Sequence, residues 1–207
     1  PSMDYGFKDL KDPNAYNPDR AKQLLAEDGW KDTDGDGILD KDGKPLTFNF
    51  VVYNSRAELP LYAEAVQADL KKVGIDMKIK TVDYNLIDKM GQDGDYDMLI
   101  SNIVTANTGD PIWFLANYWH TNVDGSNPQN GSGYSNPQVD QLLDAAQTEF
   151  DPAKRRDYAI QIQQLLMNDG AALFLGYPKT NIITGSYLKG AVMYPSDYYW
   201  ITNKITK

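Results

Sequence analysis

Apolar positions follow two spacings in turn along the first half of the chain. Residues 46–53 (LTFNFVVY) are typical of a strand, and residues 75–82 alternate into a second strand. Between them, Leu59–Val73 carries apolar residues at helical spacing. A short helix over Asn85–Met90 and a third strand over Tyr96–Ile103 are predicted next. This order predicts an α/β fold, in which βαβ units form a mainly parallel sheet flanked by helices.

Helix starts are marked by an Asn or Asp that precedes a proline. The four pairs are Asn17–Pro18, Asp110–Pro111, Asn136–Pro137 and Asp151–Pro152. The Asx oxygen can accept a free N–H at the N-cap, and proline suits the first helical position because its missing N–H would have had no partner there. Amphipathic runs follow these pairs, so we expect core-facing helices.

The third strand leads into a polar loop, Thr105–Pro111, which is the first place to expect a ligand. Ligands of open parallel sheets bind beyond the carboxyl ends of the strands. An aromatic helix then ends at His120, the single histidine of the chain. One interpretation is a pocket walled by Trp113, Tyr118 and Trp119 with His120 as its imidazole. The other is a half-buried helix end, whose histidine stabilises the helix dipole.

An acidic loop resembles the start of an EF-hand calcium loop. Its predicted ligands are Asp32, Asp34, Asp36, the carbonyl of Ile38 and Asp40. Position 12 of the pattern, where a bidentate glutamate is required, is Gly43. The loop is therefore either a Ca²⁺ site or a pair of glycine-rich turns in an acidic hairpin.

Composition narrows the function classes. The 207 residues carry 29 Asp+Glu against 20 Lys+Arg, a net charge of -9, which disfavours nucleic acid as a partner. The chain has no cysteine, so thiol chemistry and disulfides are excluded. It contains no GxSxG, P-loop or HExxH motif. A hydrolase or a self-standing calcium-stabilised module remains the alternative class.

Several segments resemble one known family. Tyr16–Trp30, followed by DTDGDG and KDGKPL, is similar to the segment that opens the C-terminal lobe of family 5 bacterial extracellular solute-binding proteins, the peptide and nickel receptors of ABC importers. The resemblance continues through Leu70–Asp76, Asp95–Asp97, Gly109–Pro111, Gly133–Pro137, Arg155/Arg156 and Tyr194–Trp200. It covers essentially the whole chain.

The resemblance implies one lobe of a type II periplasmic-binding-protein-like fold. Residues 1–207 would be the C-terminal ligand-binding lobe, with the N-terminal lobe and a signal or lipoprotein segment outside this sequence, and 180–207 returning toward that lobe. It further implies an extracytoplasmic, monomeric protein that has no catalytic activity and needs no cofactor. Its partners would be a small-molecule or peptide ligand and the membrane permease.

One departure from the family pattern bears on the ligand. Peptide receptors of the family carry an Asp four residues before the proline of the Asp-Pro element, where it pairs with the ligand's amino group, and here that position is Asn107. Nickel and chelate receptors do not need that Asp and can use a histidine downstream. The resemblance therefore favours nickel or a metal chelate as the transported ligand, with a peptide as the alternative. The predicted ligand-binding residues are Asn107, Asp110, Trp113, Tyr118, Trp119 and His120.

Overall fold

The computed structural model describes residues 5–6, 8–105, 109–179, 181–193 and 202–207. In chain order its elements are α1 (Pro18–Glu27), β1 (Asp40–Lys41), β2 (Lys44–Pro45), β3 (Thr47–Tyr53), α2 (Glu58–Lys71), β4 (Asp76–Val82), a 3₁₀ turn (Tyr84–Leu86), α3 (Ile87–Asp93), β5 (Met98–Leu99), α4 (Ile112–Trp119), α5 (Pro137–Thr148) and α6 (Pro152–Asn168). None of these helices is both long and apolar enough to cross a membrane.

Strand β3 is the centre of a three-stranded parallel sheet with the order β4-β3-β5. Residues 50–53 of this strand are at most 3% exposed, which is why its second half is a continuous apolar run. Helices α2 and α3 contribute Leu59, Ala63, Ile87 and Met90 to the same core. The α/β prediction with a parallel sheet is confirmed.

The third strand is shorter than predicted. Regular pairing covers only Met98–Leu99 instead of Tyr96–Ile103. Single bonds extend the contact by one residue at each end, from Asp97 N to Asn49 O (3.2 Å) and from Ile100 N to Val51 O (3.1 Å). The chain then leaves the sheet, and the backbone N–H of Asn102 donates to the side-chain hydroxyl of Tyr53 at 3.0 Å.

The predicted helix caps are present. The side chains of Asn17, Asn136 and Asp151 each accept backbone N–H groups at the starts of α1, α5 and α6. Asp110 differs in register, because α4 begins at Ile112 and not at Pro111. Its Oδ1 still accepts Ile112 N at 2.9 Å, so it satisfies a first-turn N–H from one residue further out.

Helices α4, α5 and α6 pack around a second core. Its fully or nearly buried members are Ile112, Leu115, Trp119, Val139, Leu143, Ala146, Ala159, Ile162 and Leu166. At one edge of this core, Tyr134 donates to the Asp169 carboxylate at 2.6 Å, and Asn136 donates to the same oxygen at 2.8 Å. These bonds tie the start of α5 to the end of α6 and lower the pKa of Asp169.

Helix α1 and the β1–β2 hairpin cover the amino ends of β3 and β4. They pack there through a third, smaller cluster around Leu46, Val73 and Ile75. The hairpin turns at Asp42 and Gly43, which have φ values of 54° and 73° and so satisfy the type I′ requirement. Gly74, with φ +83°, accepts from Leu39 N at 2.8 Å. This close contact joins the hairpin to the α2–β4 turn.

We predict that Gly74→Ala destabilises the chain by about 2–4 kcal/mol, since the left-handed backbone and overpacking both contribute. A Cβ on Gly74 would lie 2.6 Å from Leu39 Cγ. Gly35→Ala is the matched control, because Gly35 has φ +82° with no atom within 4 Å of an added Cβ. The control should cost only about 1–2 kcal/mol. Urea unfolding measures both, and equal losses would disprove the steric contribution.

We also predict an alkaline loss of stability that depends on Tyr134. The pKa of Tyr134 is raised from its usual value of 10.0 to about 12. Burial of the phenol is the larger cause, and its hydrogen bond to Asp169 is the second. Because the folded pKa exceeds the unfolded one, the contribution is complete below pH 10 and is lost as the pH rises from 10 to about 12.

Urea midpoints from pH 9 to 12 test this prediction. Wild type should lose more stability over the range than Tyr134→Phe, which cannot ionise at this position. Tyr177→Phe, at a side chain that is 62% exposed, is the control for removing a phenol. Parallel curves for wild type and Tyr134→Phe would show that Tyr134 makes no such contribution.

Candidate functional site

The carboxyl end of the sheet carries polar side chains that hold the loop after β5. The backbone N–H of Asn102 donates to the Tyr53 hydroxyl, and its side-chain amide donates to Glu58 Oε1 at 3.2 Å. Tyr84 packs edge-on against Tyr53 with ring centroids 5.1 Å apart. The predicted ligand residue Asn107 lies outside the described residues.

Immediately after this loop lies an open groove of about 630 Å³, which we call the α4 groove. It is bounded by one face of α4, the loop that contains Ser126 and Asn127, the end of α5 and the start of α6. Its polar, charged and aromatic lining residues include Asp110, Trp113, Asn117, His120, Gln147 and Arg155. Three of the six predicted ligand residues, Asp110, Trp113 and His120, therefore lie together.

The predicted aromatic wall is divided by the helical repeat. Successive residues are rotated by about 100°, so Trp113, Asn117 and His120 share the groove face. Trp119 instead points into the three-helix core, where it is 8% exposed and packs edge-on against Tyr134 at 5.8 Å. Within the described residues its buried Nε1 has no hydrogen-bond partner.

Tyr118 also lies away from the groove lining. Its ring packs against Phe114 with centroids 5.1 Å apart. Burial raises the pKa of Tyr118, and the nearby charge of Asp88 raises it further. The side chain therefore belongs to the junction between α4 and the α/β half. A ligand-binding role for Tyr118 and Trp119 stays a prediction.

Asp110 is held by an ion pair with Arg155. Its Oδ2 accepts from Arg155 Nη2, while its Oδ1 accepts from Ile112 N. The other terminal nitrogen of Arg155, Nη1, donates to the carbonyls of Ala146 (2.5 Å) and Glu149 (2.9 Å). These are carbonyls at the end of α5 that have no intrahelical partner, so Arg155 caps one helix and fixes the start of another.

Sequence reasoning did not identify the role of Arg155. The residue belonged to the family resemblance, but no spacing rule connects it to Asp110, 45 positions earlier. An available signal was the amphipathic register of α6, which places Arg155 beside core residues and leaves its charge in need of a partner.

His120 lies at the C-terminal end of α4 between two carboxylates of α5. Its Nδ1 is 3.7 Å from Asp140 Oδ1 and its Nε2 is 3.4 Å from Asp144 Oδ1. Its carbonyl accepts from the side-chain amides of Asn127 (2.7 Å) and Asn130 (3.0 Å). The residue thus joins α4, α5 and the following loop, while its side chain, 34% exposed, still lines the groove.

The acidic loop brings three of its predicted ligands together. Single oxygens of Asp32, Asp34 and Asp40 lie within 4.8 Å of one another. Asp36 is outside this group, and its Oδ1 accepts Ile38 N at 2.8 Å. Asp32 accepts from the backbone N–H groups of Gly35 and Gly37. The carboxylates therefore stabilise glycine-rich turns, as the hairpin interpretation requires, and Ca²⁺ stays a prediction.

Comparisons with known proteins find relatives of this chain among bacterial solute-binding proteins. The family described as "Bacterial extracellular solute-binding proteins, family 5 Middle" matches residues 1–126. The oligopeptide-binding protein AppA of Bacillus subtilis is 32% identical over 196 residues, which are 91% of this chain and 34% of AppA. The nickel-binding protein NikA of Staphylococcus aureus is 26% identical over 199 residues, which are 95% of this chain and 38% of that relative.

Solved structures agree with these relatives. AppA in complex with a nonapeptide superimposes with a TM-score of 0.73 at 31% identity, covering 85% of this chain and 34% of AppA. NikA from Brucella suis in complex with Fe(III)-EDTA gives a TM-score of 0.67 at 28% identity, covering 81% of this chain and 33% of NikA. The chain spans about a third of the length of each relative.

We predict that calcium binds the folded acidic loop and so raises the melting temperature. At a calcium concentration ten times the dissociation constant, the free energy of unfolding should increase by about 1.4 kcal/mol. Asp34→Asn should abolish the rise, because Asp34 is one of the three converging carboxylates. Asp42→Asn, which removes a charge at the hairpin turn outside this group, should retain it. Identical melting curves in millimolar calcium and in chelator would leave only the hairpin interpretation.

Proposed function

The chain belongs to the bacterial extracellular solute-binding proteins of family 5, and we propose that it is a ligand-binding part of a receptor that captures a solute for an ABC importer. The observation that carries the proposal is the α4 groove. Its polar and aromatic side chains lie directly after the loop that leaves the carboxyl end of a parallel sheet. Capture and release need no reaction at this site, so we expect no turnover of substrate.

The groove is open, which suits one side of a larger binding cleft. Ligand sites usually bury most of the surface of their ligand, and an open groove cannot do so alone. The relatives are about three times as long as this chain, so the rest of a receptor would supply the facing wall. We therefore expect these 207 residues to bind a ligand weakly.

We propose a peptide as the ligand. The relatives that support this assignment are AppA, named an oligopeptide-binding protein, and its complex with a nonapeptide. The surroundings of His120 support it as well, because the carboxylates of Asp140 and Asp144 lie near its ring and repel an anionic chelate such as Fe(III)-EDTA.

A metal chelate is the second candidate. It is favoured by the exposed third of the His120 side chain beside the 45% exposed ring of Trp113, since imidazole is a suitable ligand for nickel and a flat ring can cover a chelate. The similarity to NikA of two species supports it too. The sequence pattern around Asn107 favours this candidate, whereas the geometry around His120 favours the peptide.

The remaining parts of the proposal concern the setting of the protein. We propose that it acts outside the cytoplasm, in the periplasm or as a surface lipoprotein, as a monomer that meets a membrane permease. The net charge of -9 fits a partner other than nucleic acid.

The prediction that follows is that a nonapeptide binds this chain with a dissociation constant above about 1 μM, and that nickel–histidine and Fe(III)-EDTA bind more weakly still. Calorimetry measures all three ligands. His120→Ala should change peptide affinity less than twofold. Asp144→Asn is the matched control, because it removes one carboxylate beside the ring and keeps the imidazole.

Two results would overturn parts of this proposal. Nickel–histidine binding that exceeds peptide binding and disappears in His120→Ala would establish the metal chelate as the ligand. Sub-micromolar binding of any of the three ligands would contradict the half-site interpretation, because it would mean that the open groove is sufficient.

A further inference from the structure

We infer that the α4 groove binds the uncharged interior of a peptide and makes no ion pair with the peptide's charged ends. This inference rests on the proposed function, since it takes the ligand to be a peptide. It adds a specificity rule for this part of the receptor: peptides with blocked termini bind as tightly as peptides with free termini.

The two charged side chains that line the groove, Asp110 and Arg155, already compensate each other. Asp110 and Arg155 form an ion pair whose side chains are 34% and 22% exposed. The remaining Asp110 oxygen and the other terminal nitrogen of Arg155 bind backbone groups. A ligand ammonium or carboxylate that replaced one partner would leave the other charge, which is partly buried, without its partner, and this costs free energy.

The ring of His120 lies between the carboxylates of Asp140 and Asp144, and its Nδ1 is 3.2 Å from Thr121 O. Asp140 is itself held by Thr121 through bonds of 2.8 Å and 2.6 Å. Two carboxylates at this end of the groove repel a ligand carboxylate. Asp144, which is 70% exposed, has room for an ammonium group but does not line the groove.

The groove groups that remain for a ligand are all neutral. The Asn117 amide donates to Trp113 O at 2.7 Å, and the Asn127 amide donates to His120 O, so each keeps its side-chain oxygen as an acceptor. Ser126 Oγ accepts Val123 N at 3.2 Å and retains its hydroxyl proton. The Gln147 amide has no partner among the described residues and can both donate and accept.

These groups complement peptide bonds. Each peptide unit offers one N–H and one carbonyl, which match amide oxygens and an amide or hydroxyl donor. The exposed ring of Trp113 adds an apolar face for a side chain. A saccharide would gain most from charge-assisted bonds to its hydroxyls, but the carboxylate and guanidinium of the groove are engaged with each other.

Nuclear magnetic resonance on the ¹⁵N-labelled 207-residue chain tests the inference directly. The side-chain amide signals of Asn117, Asn127 and Gln147 and the indole signal of Trp113 report on the groove. The probes are a nonapeptide of Ala, Ser and Gly with free ends, the same peptide acetylated and amidated, and mannohexaose. Both peptides should shift the four signals, with dissociation constants that agree within twofold.

Two further measurements sharpen the expected result. Raising NaCl from about 0.05 to 0.5 M should change either constant less than twofold, because screening acts on charges and not on neutral hydrogen bonds. Gln147→Ala should weaken both peptides at least threefold. Gln138→Ala, at an exposed position near the other end of α5, should leave them unchanged.

The outcomes separate this inference from the proposed function. A free peptide that binds more than tenfold tighter than the blocked one, with the difference lost in Asp144→Asn, would show a charged contact and overturn the inference while the peptide function stands. Peptide-induced shifts only outside the groove would overturn it in the same way. Shifts of the groove signals with mannohexaose alone, or with none of the probes, would overturn the peptide assignment itself and the inference with it.

Discussion

The ion pair between Arg155 and Asp110 holds together the segments that form the groove. Arg155 belongs to α6, Asp110 ends the loop that leaves the sheet, and the carbonyls of Ala146 and Glu149 end α5. Hydrogen bonds to a charged group each contribute about 1.5–3 kcal/mol, so this network is a large share of the stability of its surroundings. Together with the buried side chains of Ile112 and Leu115, it fixes the start of α4 relative to α5 and α6 and so sets the shape of the groove.

Close backbone contacts join the two cores of the molecule. The sheet core and the three-helix core share no strand or helix, and they are linked in the described residues by close backbone contact as well as by the chain. Gly91 of α3 and Gly131 approach so closely that a Cβ on Gly131 would lie 3.1 Å from Gly91 Cα. Nearby, the Tyr96 hydroxyl donates to the carbonyl of Gly131. Small residues at this junction let the loop before α5 lie against α3 and the segment that leads into β5.

The regular elements could be predicted from the sequence because local rules determine them. The apolar, β-branched and aromatic residues of β3 and the Asx–Pro pairs at Asn17, Asn136 and Asp151 act within a few residues of where they appear. The site was only partly predictable, because it depends on contacts between distant positions. The aromatic run 112–119 suggested a common pocket wall, but the helical rotation sends Trp119 into the core and leaves Trp113 at the surface. No local pattern indicated that Arg155 would neutralise Asp110.

Asp110 and His120 show why residue identity alone is a weak guide to the ligand. A carboxylate in a groove suggests a bond to a ligand cation, yet both oxygens of Asp110 are used within the protein. An imidazole suggests a metal, yet both nitrogens of His120 face carboxylates. Once these internal pairs are formed, the groups left for a ligand are amides, a hydroxyl and an indole ring. We expect such a surface to gain little from a charged ligand, because the two charged groups of its described lining, Asp110 and Arg155, are paired with each other.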